Sequence, residues 1–341
     1  MNALSPLGWL YGVGSSFRNA LYDRGIFRSH KLGVRTISVG NVTAGGTGKT
    51  PLVAYIANLL SEDGEKVCIL TRGYGRENTS DRVVVSDGER VLVNARTGGD
   101  EPAELAQKLL GKAVIIADRD RVAAARWAVN EFRPTVFLLD DGFQHRRAAR
   151  DIDIVCIDAT DPFGGGSSLP AGRLRERPSN LDRADAAVLT RADLADDLAA
   201  LEWQVRQLAP KIEIFHASYL TREFNEIGSQ NTIDIAELRR SAAFAFCGLG
   251  DPKNFFAQLE REGVRLVGRK AFPDHHAYNA DDVRSVEASA RSAGAEVLIT
   301  TAKDAVRLDT SRLELKCLVA EIDVRITDDD RFRHLIVSTL A

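Results

Sequence analysis

The sequence has no continuous apolar run approaching the roughly 18 residues that a membrane-crossing helix requires, so it is not expected to span a bilayer. Cysteine is scarce. Cys68, Cys156, Cys247 and Cys317 are far apart and form no metal-type pair. Three of them sit inside apolar runs, so they read as buried free thiols of a reducing compartment. Net charge is only −3 over 341 residues, which gives no reason to expect nucleic acid as a partner. Internal repeats and low-complexity tracts are missing, and the N-terminus lacks the early basic residues and unbroken apolar core of a secretory signal. With 44% apolar and 27% charged residues the composition excludes disorder, and the length allows two compact domains.

What the chain does have is concentrated between Thr36 and Thr50. A β-branched apolar run, Thr36 to Val39, feeds a glycine-dense loop ending in Gly48, Lys49 and Thr50. A helical pattern follows at once, with Leu52, Val53, Ile56, Ala57, Leu59 and Leu60 on one face. Strand, glycine loop, Lys-Thr and helix together make a cradle for a nucleotide phosphate chain. Glycines let backbone N–H groups converge on an anion, and the helix N-terminus adds partial positive charge. Lys49 is placed to reach the β- and γ-phosphates and the Thr50 hydroxyl to ligate Mg²⁺. Thr43 stands where the usual pattern has a further glycine.

Strand-like and helical stretches alternate, which predicts an α/β fold with a mainly parallel sheet sandwiched by helices. Expected strands are 36–39, 67–70, 113–117, 136–140, 152–157 and 186–189, with a small hairpin or peripheral excursion from 83–85 and 91–93. The polar stretch 219–231 reads as a linker. A second, smaller α/β lobe follows, with strands near 243–247, 264–267, 296–300 and 317–320. The expected division is therefore an N-terminal amphipathic segment over 1–30, a phosphate-loop domain over 31–218, a hinge over 219–231, and a closing lobe over 232–341.

Four further clusters could carry chemistry. Val136 to Asp141 is an apolar strand ending in Asp140 and Asp141, a place where a carboxylate holds Mg²⁺. Asp100 and Glu101 open a helix, either capping its N–H groups or supplying an acid–base group or metal ligand. Asp274, His275 and His276 form an acidic and imidazole cluster. Zinc is not expected there, because adjacent histidine side chains diverge and no Cys or third His is near. A histidine of this pair facing Asp100 across a cleft would make an Asp–His base, the plainer alternative being a loop histidine bonded to nearby backbone. Arg173 and Arg175 are candidates for clamping phosphates, with pairing to Glu176 as the plainer alternative.

At the N-terminus, Leu10, Val13, Phe17 and Leu21 recur at helical spacing beside Leu7, Trp9 and Tyr11, and Arg18, Arg24, Arg28, Lys31 and Arg35 follow. Such a segment suits a helix lying in a membrane interface, or one packed on the domain's own surface.

Taken in order along the chain, these segments resemble the tetraacyldisaccharide 4′-kinase family of lipid A biosynthesis. The resemblance is carried by Gly40–Pro51, Thr71–Gly75, Gly99–Pro102, Asp140–His145, Pro162–Gly164, Leu169–Glu176, Gly248–Pro252, Phe272–His276 and Lys303–Ala305. It implies a phosphate-loop fold, ATP and Mg²⁺ as cofactors, and γ-phosphate transfer to the 4′-hydroxyl of an acylated glucosamine disaccharide 1-phosphate. It further implies a peripheral monomer at the cytoplasmic face of the bacterial inner membrane, with no nucleic-acid partner. Carried over residue by residue, Asp100 and His275 form the catalytic pair, with Asp100 as base. Thr43, Ala44, Gly45, Gly46, Thr47, Gly48, Lys49, Thr50 and Arg173 bind the nucleotide, and Thr50, Glu101, Asp140 and Asp141 form the metal shell. With this context the membrane reading of the N-terminal helix is favoured. The rival is a membrane-localised regulatory ATPase of the ParA/MinD type, whose loop lysine would fall at Ala44.

Overall fold

A computed structural model describes residues 4–229, 231–309 and 313–338. Its strands are β1 (Arg35–Asn41), β2 (Val67–Thr71), β3 (Val83–Ser86), β4 (Ala113–Ala117), β5 (Val136–Asp140), β6 (Ile152–Asp158) and β7 (Ala186–Thr190). They continue with β8 (Glu213–Glu226), β9 (Thr232–Ile233), β10 (Ala242–Cys247), β11 (Arg265–Ala271), β12 (Val297–Thr301) and β13 (Lys316–Ile326). All join one sheet in the order β11-β10-β12-β13-β8-β7-β6-β1-β5-β2-β4-β3, with β9 beside β8.

The stretch from β7 to β4 is parallel, and its strands are buried on both faces, which is why they are continuous apolar runs in the sequence. The two-residue alternation of a strand sends neighbours to different cores. Val136 and Leu138 meet the helices Lys49–Glu62 and Asp100–Lys108, while Phe137 and Leu139 meet the helix Arg121–Glu131. Because β1 lies between β5 and β6, with Val39 opposite Asp140, the phosphate loop and the aspartates open together at the carboxyl ends of these central strands. Open parallel sheets bind ligands at that end.

Three expectations are corrected. Residues 83–85 and 91–93 do not form a two-stranded hairpin: β3 pairs antiparallel with β4 at the sheet edge, and Val91 makes only an isolated bridge to Ser86. The 219–231 segment is largely strand, because β8 runs on through Glu226 and pairs antiparallel with β13. Its register shifts where Thr221 faces Ile322 and Glu223 faces Glu321, leaving Arg222 as the extra residue of a bulge. The boundary at residue 232 also fails to separate two cores. The helix Asp329–Ser338 returns to the phosphate-loop side, where Phe332 and Ile336 are fully buried with Val53, Ile56 and Phe215. Strand β13 serves both parts: Leu318 and Ala320 pack with Phe255 and Phe256, whereas Ile326 packs with Phe332.

The N-terminal helix, Ser5–Asp23, docks by its small residues. A Cβ on Gly8 would lie 2.8 Å from the Ser168 carbonyl oxygen, and one on Gly12 would lie 3.1 Å from Ser168 Oγ. Glycine weakens a helix interior, by about 1 kcal/mol relative to alanine, so its presence here reflects the close approach. Asn19 Nδ2 donates to Glu176 at 2.8 Å, and Ser15 Oγ donates to the Arg175 carbonyl. The apolar stripe faces outward, with Trp9 68% and Phe17 66% exposed and Leu7, Leu10 and Val13 beside them. No helix among the described residues is long and apolar enough to cross a membrane.

Candidate active site

The phosphate loop is fixed from several sides. Gly48 caps the helix Lys49–Glu62 with φ 76, a left-handed conformation that glycine adopts without strain. Its carbonyl accepts a hydrogen bond from the Tyr219 hydroxyl at 2.9 Å, and a Cβ there would sit 1.9 Å from that oxygen. Asn41 Nδ2 donates to Thr47 Oγ1 at 2.9 Å, Thr190 Oγ1 to the Thr47 carbonyl at 3.0 Å, and Arg191 Nη2 to the Gly46 carbonyl at 3.1 Å. Thr43 is buried and bridges Leu174, while the Ala44 N–H donates to the Arg173 carbonyl. The helix's first turn carries no acidic residue and no side-chain cap, which leaves its N–H groups for an anion.

The two aspartates at the end of β5 have separate environments. Asp140 is buried and accepts from Thr71 Oγ1 at 3.0 Å. Burial first, then the charges of Glu101 and Asp141, push its carboxyl up to about 7. Asp141, at φ 52, accepts from Arg175 Nη1 at 2.7 Å and lies 3.4 Å from Lys49 Nζ. Burial works against its charge, but Lys49 and Arg175 outweigh it and hold the carboxyl down at about 2. Asp141 is thus a countercharge for two cations. No three His, Cys, Asp or Glu side chains among the described residues converge as a ready metal cage, so Glu101, Asp140 and Asp141 do not form one. Mg²⁺ needs less: it commonly takes one or two carboxylates and completes its shell with phosphate oxygens and water. Thr50 at the head of the helix and Asp140, whose charge lacks a close cation of its own, fit that requirement.

Asp100 opens the helix Asp100–Lys108 and is only 2% exposed. Its Oδ2 is 2.7 Å from His275 Nδ1, joining residues 175 apart in the chain. His275 sits at φ 60, and its side chain is 38% exposed, with Nε2 lying 3.4 Å from Lys303 Nζ and 3.8 Å from Asp274 Oδ2. Lys303 in turn pairs with Asp274 at 2.7 Å. A cleft of about 440 Å³ is lined by Gly45 to Pro51, Glu101, Asp141, Arg175, His275 and Lys303, with Leu249 to Asp251 and Phe255 opposite the loop. Asp100 stands behind His275 and does not line this cleft.

Both arginines stand at the loop: Arg173 pairs with Asp161 at 3.2 Å with its guanidinium close to Gly45, and Arg175 lines the cleft and holds Asp141. The Leu174 bridge to Thr43 and the Arg175 N–H bond to the Val42 carbonyl hold this segment beside the phosphate loop. Arg307 was not anticipated. It bonds Asp100 from the other side, and only its position one turn beyond Lys303 and Asp304 could have drawn attention to it.

Comparison with known proteins gives a consistent result. The whole chain, residues 1–341, matches the family model described as tetraacyldisaccharide-1-P 4′-kinase. A tetraacyldisaccharide 4′-kinase of Desulfotalea psychrophila is 39% identical over 340 residues, covering 98% of this chain and 95% of the relative. One from Geobacter metallireducens is 42% identical over 305 residues, covering 89% and 88%. Among solved structures, LpxK from Aquifex aeolicus in complex with ATP superposes with a TM-score of 0.80 at 31% identity, over 99% of both chains.

Proposed function

Since the chain belongs to the tetraacyldisaccharide-1-P 4′-kinase family, we propose how its cleft performs that reaction. The protein is an ATP-dependent kinase of lipid A biosynthesis, which moves the γ-phosphate to the 4′-hydroxyl of a tetraacylated glucosamine disaccharide 1-phosphate. The observation that carries the mechanism is the meeting of the phosphate loop and the Asp100–His275 pair at one cleft. The regulatory-ATPase rival loses on Ala44, which replaces its loop lysine, and on the second lobe, which it does not require.

The backbone of Gly45 to Gly48 and the Lys49 ammonium hold the triphosphate, and Arg175 keeps Asp141 from competing with it for charge. His275 Nε2 faces the cleft, so it takes the proton from the 4′-hydroxyl, while Asp100 holds Nδ1 and stabilises the imidazolium that forms. This reverses the order expected from sequence, in which Asp100 was the base. The acceptor oxygen forms its bond to the γ-phosphorus as the bond to the β,γ-bridging oxygen breaks, and ADP leaves. Thr50 and Asp140 would hold Mg²⁺, with Glu101 nearby; when bound it neutralises charge on the phosphates. Phosphate transfer to the acylated disaccharide, measured against ATP hydrolysis without acceptor, tests the assignment. Hydrolysis that ignores the acceptor would overturn it.

The N-terminal helix supports a peripheral membrane role at the inner membrane's cytoplasmic face. A helix packed for the protein's own stability would turn Trp9, Leu10 and Phe17 inward, yet these are exposed while Gly8 and Gly12 dock. Two lobes closing over the cleft suit two substrates, one arriving from water and one from the bilayer. Replacing Trp9, Leu10 and Phe17 together by Ser is expected to lower partition onto anionic phospholipid vesicles at least about tenfold, given the apolar area withdrawn. Deleting the helix is a poorer test, because Ser15 and Asn19 also brace Arg175 and Glu176. Unchanged vesicle partition in the triple variant would remove the membrane reading.

A further inference from the structure

Asp100 is held by more than its histidine. Arg307, just after the short helix Ala302–Ala305, donates from Nε to Asp100 Oδ1 and pairs through Nη2 with Oδ2. The same guanidinium reaches the turn that carries the catalytic imidazole: Nη1 donates to the His276 carbonyl at 3.1 Å, and Nη2 lies 3.3 Å from His275 Nδ1. Its side chain is 12% exposed and does not line the cleft.

These contacts join two parts of the chain. Asp100 rises from the phosphate-loop side of the sheet, while His275 and Arg307 follow β11 and β12 on the other side. A guanidinium is a rigid planar fork matched to a carboxylate, so it fixes the rotation of the acid as well as its charge. His275 has a positive φ that a non-glycine residue keeps only when its surroundings over-determine it, and the bond from Arg307 to the next carbonyl is one such constraint.

We propose that Arg307 is a positioning residue: it presents one oxygen of Asp100 to His275 and pins the His275–His276 turn against that carboxylate, so that the proton-accepting pair is assembled only when the two parts of the molecule meet. This rests on the reading of His275 and Asp100 given above. The other charges facing the pair are Glu101, Lys303 and Asp274, and none of them is recorded on both Asp100 oxygens.

The test is a mutant cycle on the full chain. Arg307→Ala is expected to lower kcat by about 10²-fold while KM for ATP changes less than about threefold, and Arg307→Lys to recover to within about tenfold of wild type. In an Asp100→Ala background neither change should cost further rate, because the arginine acts through that carboxylate. An equal loss in the Asp100→Ala background, or a loss confined to KM, would overturn the proposal. If Arg307→Ala does not fold, Arg307→Lys carries the test, since one ammonium cannot span both carboxylate oxygens and the His276 carbonyl: a drop in kcat that vanishes in the Asp100→Ala background supports the proposal, and one that persists refutes it. His275→Ala retaining full rate would instead sink the base assignment, and the Arg307–Asp100 cycle would still be read on its own.

Discussion

Asp100→Ala protein is expected to bind ATP almost as wild type does and to transfer phosphate about 10³-fold more slowly, within the 10²–10⁴ range that a positioned acid–base group supplies. The separation follows from where the groups lie. The proposed nucleotide contacts are Gly45 to Thr50, fixed by Tyr219, Asn41, Thr190 and Arg191, and none of those braces passes through Asp100. The loss has two parts. His275 is no longer held at Nδ1, and the imidazolium it becomes during transfer loses the carboxylate 2.7 Å away. His275→Ala should fall as far, and the double variant no further, because the two groups act as a unit. Single-turnover rates with ATP affinity measured in parallel decide it. An Asp100→Ala enzyme of normal rate would remove the pair from the chemistry.

Asp140→Asn should stabilise the nucleotide-free protein at pH 8 while abolishing most of its turnover. Asp140 is raised to about 7, so between the ordinary carboxylate range and neutrality the folded chain keeps a proton that the unfolded chain has released. Folding is therefore favoured by this group as pH falls from about 7 to about 4, and opposed above that, which is the reverse of the usual carboxylate behaviour. Asp141, held down at about 2, acts in the ordinary sense: its contribution is complete above about pH 4 and fades toward pH 2. Removing the Asp140 charge should thus add about 4 kcal/mol at pH 8, read as a thermal midpoint higher by several degrees. The gain should shrink as pH falls below about 7 and vanish only below about pH 4, where both states hold the proton. A midpoint that fell at pH 8 would mean that the Asp140 charge is already compensated. The carboxylate's cost in the resting protein is consistent with a site kept ready for a cation.

Much of this was legible in the sequence because of where burial falls. β1, β2, β4, β5, β6 and β7 lie under helices on both faces, so each is an unbroken apolar run with turns at its ends. The glycine loop and the acidic ends of β5 and of the Asp100 helix were visible because backbone geometry and charge demand those residue types. The outer half of β8 was not, since Ser218 to Glu226 alternates polar residues with few buried ones and its partner β13 lies about a hundred residues away. The pairing of Arg175 with Asp141 was not legible either, since the bridge of Leu174 to Thr43 that brings this segment to the loop joins distant parts of the chain. Arg307 carries no local signal beyond its place one turn after Lys303 and Asp304. Its role exists only after β12 and the Asp100 helix have been brought together.

The return of the helix Asp329–Ser338 to the first core has a consequence for biosynthesis. Phe332 and Ile336 complete the hydrophobic layer that supports the helix behind the phosphate loop. During vectorial synthesis, that layer stays open on the ribosome until residue 336 has emerged from the exit tunnel, although the glycine loop itself was made some three hundred residues earlier. A nascent chain arrested before that point therefore exposes an unfinished apolar surface, which chaperones would bind and proteases would cut.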